Sequence, residues 1–182
     1  MPRYFAFLRG INVGGHRVKM EHLREVIGAL GFLQVETFIA SGNVIFSSPS
    51  RDVSAMEGRV ARHLHDARGY DVATYIRSQP ELESIAAFEP REPPSGDPSE
   101  YVIFLAEAAD GYFQRSLEGL NTETDRFEFS GREAYWLIRG KLSESPLFGK
   151  DLTKVTGGGA TTMRKITTIR RLVAKYSVPE GA

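Results

Sequence analysis

The chain carries one short plan twice, and a repeat of that kind restricts what it can fold into. Tyr4-Phe5-Ala6-Phe7-Leu8 is echoed by Tyr101-Val102-Ile103-Phe104-Leu105. Each apolar run reads as a strand. Each is followed by a helical stretch and then a hairpin with a Ser-Gly turn, Ser41-Gly42-Asn43 in the first copy and Ser130-Gly131-Arg132 in the second. In the first copy Met20, Leu23, Ile27 and Leu30 recur at helical spacing, and residues 35–40 and 44–46 form the hairpin. Ser54-Ala55-Met56-Glu57 has capping-box spacing ahead of a helix lined by Met56, Val60, Leu64 and Ala67. Residues 71–77 form a fourth strand, and Ser78-Gln79-Pro80-Glu81 opens a short helix. In the second copy, helices are expected over 110–117 and 146–155, the latter capped by Ser145. Each copy begins β-α-β-β-α, and the first completes β-α-β-β-α-β. The expected fold class is α+β: two related ferredoxin-like halves with a C-terminal helix carrying Ile166, Ile169, Leu172, Val173 and Tyr176 on one face. Residues 1–88 would form the first half, the Pro-rich stretch 89–99 a linker, and residues 100–182 the second half plus that helix.

The copies differ most after their first strand. Tyr4 to Ser41 spans 37 positions, whereas Tyr101 to Ser130 spans 29. The natural place for the excess is Arg9-Gly10-Ile11-Asn12-Val13-Gly14-Gly15-His16-Arg17, a glycine-rich loop between strand and helix. Such loops let backbone N–H groups converge on an anion, and a following helix start adds positive potential. A second loop-to-helix junction is expected at Gly157-Gly158-Gly159-Ala160-Thr161-Thr162-Met163-Arg164, with Thr161 and Thr162 as helix caps. Positive charge collects around both. Residues 139–175 hold nine Lys or Arg against two acids, whereas 48–138 hold nine against seventeen. These features suggest one composite anion site. It comprises Arg9, Gly10, Asn12, Gly14 and Gly15 from the first loop and Thr161, Thr162 and Arg164 from the second, with Ser41 and Asn43 at its rim. Arg9 either clamps an anion with its planar fork or pairs structurally with a carboxylate. Asn12, Ser41 and Asn43 also suit plain turn formation.

Several chemistries are disfavoured. Gly10 and Gly15 enclose four residues as in a phosphate-binding P-loop, but His16 and Arg17 stand where Lys then Ser or Thr are needed. No G-x-G-x-x-G fingerprint is present, and the sequence names no cofactor and no catalytic residue. Ser41 is not in a nucleophile elbow. His16, His22, His63 and His65 lack metal-ligand spacing, there is no cysteine, and no metal is expected. No apolar run approaches membrane-spanning length, and no signal pattern opens the chain, so a cytoplasmic protein without a membrane partner is expected. The expected ligand is an anionic small molecule, phosphorylated metabolite or nucleotide. The alternative is RNA, held by the basic 139–175 segment, with the aromatics of the first and third strands as stacking groups.

Leu8-Arg9-Gly10-Ile11-Asn12-Val13-Gly14-Gly15, Met20, Leu23, Ser41-Gly42-Asn43-Val44 and Ala160-Thr161-Thr162-Met163-Arg164 together resemble the signature of a widespread bacterial family, domain of unknown function 1697. The resemblance implies an α+β fold of two related ferredoxin-like halves and a site at these motifs, but no reaction. Lys165-Ile166-Thr167 depart from the Asn-Trp-Asn that usually follows the closing arginine of that family.

Overall fold

The computed structural model describes residues 1–12, 18–150, 152 and 159–176. The chain divides into two compact units, residues 1–84 with 172–182, and residues 85–171. The C-terminal helix thus contributes to both.

In the first unit the order is β1 (Arg3–Leu8), α1 (Met20–Gly28), β2 (Leu33–Thr37), β3 (Asn43–Ser47), α2 (Val53–Arg68), β4 (Thr74–Ser78) and α3 (Gln79–Ala86), which straddles the unit boundary. The strands form an antiparallel sheet in the order β2-β3-β1-β4, with Tyr4 opposite Phe46 on β3 and opposite Ser78 on β4. Alternation sends Tyr4, Ala6 and Leu8 to one face, where they join Val44, Phe46 and Ile76 beneath Leu23 and Ile27 of α1 and Met56, Val60 and Leu64 of α2. The residues between them, Phe5, Phe7, Ile45, Tyr75 and Arg77, are buried as well. Burial of both faces explains why β1 and β3 read as unbroken apolar runs.

The second unit repeats the arrangement. Its order is β5 (Pro98–Phe104), α4 (Gly111–Glu118), β6 (Asp125–Ser130), β7 (Glu133–Arg139), a 3-10 turn at Leu142–Glu144, β8 (Thr162–Lys165) and the start of α5 (Ile166–Tyr176). The sheet order is β6-β7-β5-β8, the same plan as the first. Ile103, Leu105, Phe127, Ala134, Trp136 and Ile138 make its core with Leu117 of α4 and Leu147.

Several local expectations need correction. Both copies have a fourth strand. Thr162–Lys165 is β8, paired antiparallel with Tyr101–Phe104, because β5 would otherwise leave a row of backbone groups unpaired. The helix therefore starts at Ile166, and Thr161 and Thr162 do not cap it. Pro146 does not open a helix. Residues 146–149 form a turn, Ser145 is buried beneath it, and most of 151–155 lies outside the described residues. In α2 the cap is Asp52, whose carboxylate accepts from the Ala55 N–H at 2.9 Å. The expected capping partner, Glu57, instead accepts from the Ile76 N–H at 2.7 Å, covering part of the open edge of β4. The second box holds in part: Glu81 accepts from the Ser78 N–H at 2.7 Å. Within 89–99, the N–H groups of Arg91 and Glu92 donate to Glu128, and Pro94 is buried.

Candidate functional site

The N-terminal motifs meet at one end of the first sheet. Leu8 donates its N–H to the Gly42 carbonyl at 2.8 Å, so the end of β1 runs directly into the Ser41-Gly42-Asn43 turn. Gly42 has φ 73°, and a Cβ there would stand 2.8 Å from Ile11 Cγ2 and 3.2 Å from Leu8 Cβ. Only glycine satisfies both the positive φ and the close approach. Asn12 braces the two loops. Its Nδ2 donates to the Ala40 carbonyl at 3.1 Å, and its Oδ1 accepts from the Val18 N–H at 2.9 Å. Asn43 is buried and donates to the Phe38 carbonyl at 3.0 Å and to Ser41 Oγ at 2.8 Å. The carboxamides of Asn12 and Asn43 are thus engaged in holding backbone, as turn chemistry suggests. Tyr70, after the end of α2, donates its hydroxyl to the Ile11 carbonyl at 3.3 Å.

Arg9 differs from these braces. Its N–H is fixed on the Ala73 carbonyl at 2.8 Å, while its side chain is exposed and has neither a hydrogen bond nor a carboxylate partner among the described residues. Its charge is felt at Tyr75, where burial pushes the phenol up and Arg9 opposes the shift. Gly10 follows with φ 69°. Gly14 and Gly15, with His16 and Arg17, lie outside the described residues.

Two features of this unit carry no motif in the sequence. An open cleft of about 470 Å³ is lined by Arg62, His65, Asp66, Asp71, Val72 and Ala73, and so reaches the residue that holds the Arg9 backbone. On its wall His65 Nδ1 lies 2.8 Å from Asp71 Oδ1, which orients the ring. The second feature is Arg68 in the last turn of α2, whose buried Nε has no hydrogen-bond partner among the described residues. The six-residue separation of His65 from Asp71 crosses a helix end, so no periodicity could reveal the pair. The signal for Arg68 was only its nearness to the Gly69 stop.

Thr161, Thr162 and Arg164 belong to the second unit, and Gly157 and Gly158 lie outside the described residues. The helix that follows starts only at Ile166, after the strand, so Thr161 and Thr162 do not stand at its first turn. Arg164 folds back on its own strand, donating to Thr162 Oγ1 at 2.9 Å and the Met163 carbonyl at 2.8 Å. Burial pushes its guanidinium down to about 10, so it remains charged at neutral pH. Register shows its counterpart. Arg164 stands opposite Val102 as Arg77 stands opposite Phe5, and Arg77 likewise donates to the carbonyl of its preceding residue, Ile76, at 2.9 Å. Register thus makes Arg164 the second copy's counterpart of Arg77, one arginine per copy.

The aromatics of β1 and β3 form no exposed platform, since Tyr4, Phe5, Phe7 and Phe46 are all buried. Among the described residues no group of three or more His, Asp or Glu is placed to hold a metal, and no helix is long and apolar enough to cross a membrane.

Fold and loop cluster together define an α+β duplication with a braced, arginine-bearing loop end on its first copy. The chain belongs to the family described as "Protein of unknown function (DUF1697)", whose model matches residues 1–135 and so ends before the Ala160–Arg164 motif. Among solved structures it is similar to conserved bacterial protein SP0830 from Streptococcus pneumoniae, at 24% identity and a TM-score of 0.80, covering 98% of this chain and 99% of that one. At that identity the likeness is one of fold. No curated protein matches.

Proposed function

We propose that the loop end of the first sheet binds an anionic small molecule, a phosphorylated metabolite or nucleotide, with Arg9 as its principal contact. The observation that carries this reading is the state of Arg9. Its backbone is fixed and its exposed guanidinium has no partner among the described residues, whereas the carboxamides of Asn12 and Asn43 are occupied in holding the loops. A charge-assisted arginine bond contributes about 1.5–3 kcal/mol, more than the roughly 0.3–1 kcal/mol of an exposed helix start. Arg62 on the adjoining cleft supplies a further cation, although that cleft also carries Asp66 and Asp71, the latter engaged by His65. The proposal takes the protein to act in the cytoplasm, where such metabolites are held.

A thermal-shift screen of inorganic phosphate, sugar phosphates and nucleotides tests the reading. A ligand at about 100 times its dissociation constant adds about 2.7 kcal/mol of stability, a shift that is easily measured. Binding should depend weakly on salt. Stabilisation by RNA alone, with affinity falling steeply as salt rises, would instead point to the basic 139–175 segment.

A further inference from the structure

β6 is an edge strand, paired with β7 alone, and its free edge opens into a cleft of about 440 Å³. Its backbone directions follow from the register. The Arg139 N–H donates to the Thr124 carbonyl at 2.8 Å, so the even-numbered residues of β6 bond to β7, while Asp125, Phe127 and Phe129 turn their N–H and C=O groups outward. The first of these groups are covered. The Asp125 N–H donates to Thr122 Oγ1 at 3.0 Å, and the Asp125 carbonyl accepts from the Thr122 N–H at 2.9 Å. The Phe127 N–H donates to Asn121 Oδ1 at 2.9 Å. Beyond that point the cover ends: the Phe127 carbonyl and both backbone groups of Phe129 have no partner among the described residues. Alternation divides the walls of the cleft. Phe127 and Phe129 belong to the core face, where Phe129 meets the Phe113 ring of α4 edge-on at 6.5 Å, and Glu118 at the end of α4 lines the cleft. Arg126 and Glu128 lie on the other face. There the Glu128 carboxylate accepts from the Arg91 and Glu92 N–H groups at 3.0 and 2.9 Å, which fixes the chain forming the opposite wall.

We propose that this cleft binds an extended peptide segment carrying a basic side chain, added to β6 as a further antiparallel strand. Two observations identify the occupant. Donors and acceptors at strand spacing along one edge are matched by another backbone. The charges then set its side chains. Arg126 donates its guanidinium to the Thr122 and Asp125 carbonyls, and Glu128 is held by the two N–H groups. The charges left to meet a ligand are the exposed carboxylates of Glu92 and Glu118 and the guanidinium of Arg91, and their balance is negative. A residue that exchanges both backbone bonds with Phe129 points its side chain to the same face as Phe129, the face of α4 and Glu118. That is the place for a Lys or Arg. A second copy of the chain pairing β6 to β6 would have to displace the covers at Asp125 and Phe127, whereas a short peptide needs only the Phe129 end. The site lies in the second unit and does not depend on the reading of Arg9.

The test uses the full chain and the acetylated, amidated pentapeptide Val-Thr-Lys-Thr-Val, with Ala or Glu in place of its central Lys, followed through backbone amide resonances. Two further analogues are methylated on the backbone nitrogen of the lysine, which faces β6, or of the fourth residue, which faces away. Expected are a shift of the Phe129 amide on binding and affinities falling in the order Lys, Ala, Glu. Methylation at the lysine nitrogen should weaken binding about tenfold, and methylation at the fourth residue far less. Glu118→Gln should weaken the Lys peptide roughly two- to fivefold and leave the Ala peptide and the melting temperature unchanged. The proposal is overturned if no peptide moves the Phe129 amide. Equal losses from the two methylations would refute strand addition, and a Glu peptide binding as tightly as the Lys peptide would refute the basic partner. A Phe129 shift that follows protein concentration without peptide, with a dimer in sedimentation, would make a second copy the occupant and overturn the proposal as well.

Discussion

The two copies share a sheet plan and differ in where they add chain. Between the first strand and the first helix lie residues 9–19 in the first copy but only 105–110 in the second. The hairpin connection is residues 38–42 in the first and only 131–132 in the second. The connection between helix and hairpin runs the other way, 29–32 against 119–124. The two loops that are longer in the first copy are the ones Asn12 ties together, while Asn43 holds the second of them. The scaffold is the same; the first copy is longer at one end, and the longer loop carries Arg9, whose side chain has no partner among the described residues. The second copy places its most elaborate polar network inside instead. Asp125 is buried and accepts from Ser145 Oγ at 2.6 Å, Thr124 Oγ1 at 2.7 Å, Trp136 Nε1 at 2.8 Å and Thr122 Oγ1 at 3.2 Å.

This contrast predicts opposite consequences for polar substitutions in the two copies. The largest effect is expected at Asp125. Asp125→Ala leaves four donors without their acceptor and should cost about 3 kcal/mol or more of stability, read by denaturant unfolding. Burial pushes the Asp125 carboxyl up, but the bonds from Ser145, Thr124, Trp136 and Thr122 outweigh it and hold the group below its ordinary value. A carboxyl lowered in the folded state stabilises fully above its unfolded value of about 3.9 and loses that contribution as pH falls through the folded value. Acid unfolding of the parent below about pH 4 should therefore be steeper than that of Asp125→Asn, which cannot titrate. Equal slopes would remove Asp125 from the account.

In the first copy, Asn43→Ala should cost about 1–3 kcal/mol, because it removes a buried carboxamide together with its bonds to the Phe38 carbonyl and Ser41 Oγ. Asn12 is exposed, so Asn12→Ala should cost only about 1 kcal/mol in urea titrations while loosening both loops. Its effect on affinity for an anion should exceed its effect on stability. If Asn12→Ala destabilises as strongly as Asp125→Ala, the loops are part of the fold's main support and the contrast between the copies breaks down.

Much of this plan was legible from the chain. The apolar runs of β1 and β5, the Ser-Gly turns and the period of α1 and α2 define the duplicated sheets because each element's pattern is set by the core it faces. Asp110 was readable as the start of α4, whose Phe113 N–H it accepts at 2.7 Å. The fourth strand of the second copy was not legible. Thr162–Lys165 has only four residues, and the helical period of α5 begins immediately after them, so local pattern assigns them to the helix. Only pairing with β5, a contact distant in sequence, makes them a strand. Asp52 and Ser54 are both acceptable caps by type, and the choice depends on Glu57 being drawn to Ile76. At the site, Arg9 and Asn12 were visible as residue types beside glycines, but clamp and brace could not be told apart until their partners were known. Arg68 and the His65–Asp71 pair depend on how α2 ends against the β4 approach, which no spacing encodes.

Arg9 carries the central claim, and the most direct measurement is a pair of melts of Arg9→Ala and the parent, each without ligand and with the strongest hit of the phosphate and nucleotide screen. The account predicts ligand-free melting temperatures that agree closely, since no carboxylate among the described residues is stranded by the change. It also predicts a ten- to hundredfold weaker affinity in the variant, about 1.4 kcal/mol per factor of ten, with Arg9→Lys recovering only part because the planar fork is lost. A large fall in the ligand-free melting temperature with affinity unchanged would contradict it, and would make Arg9 a support of the fold.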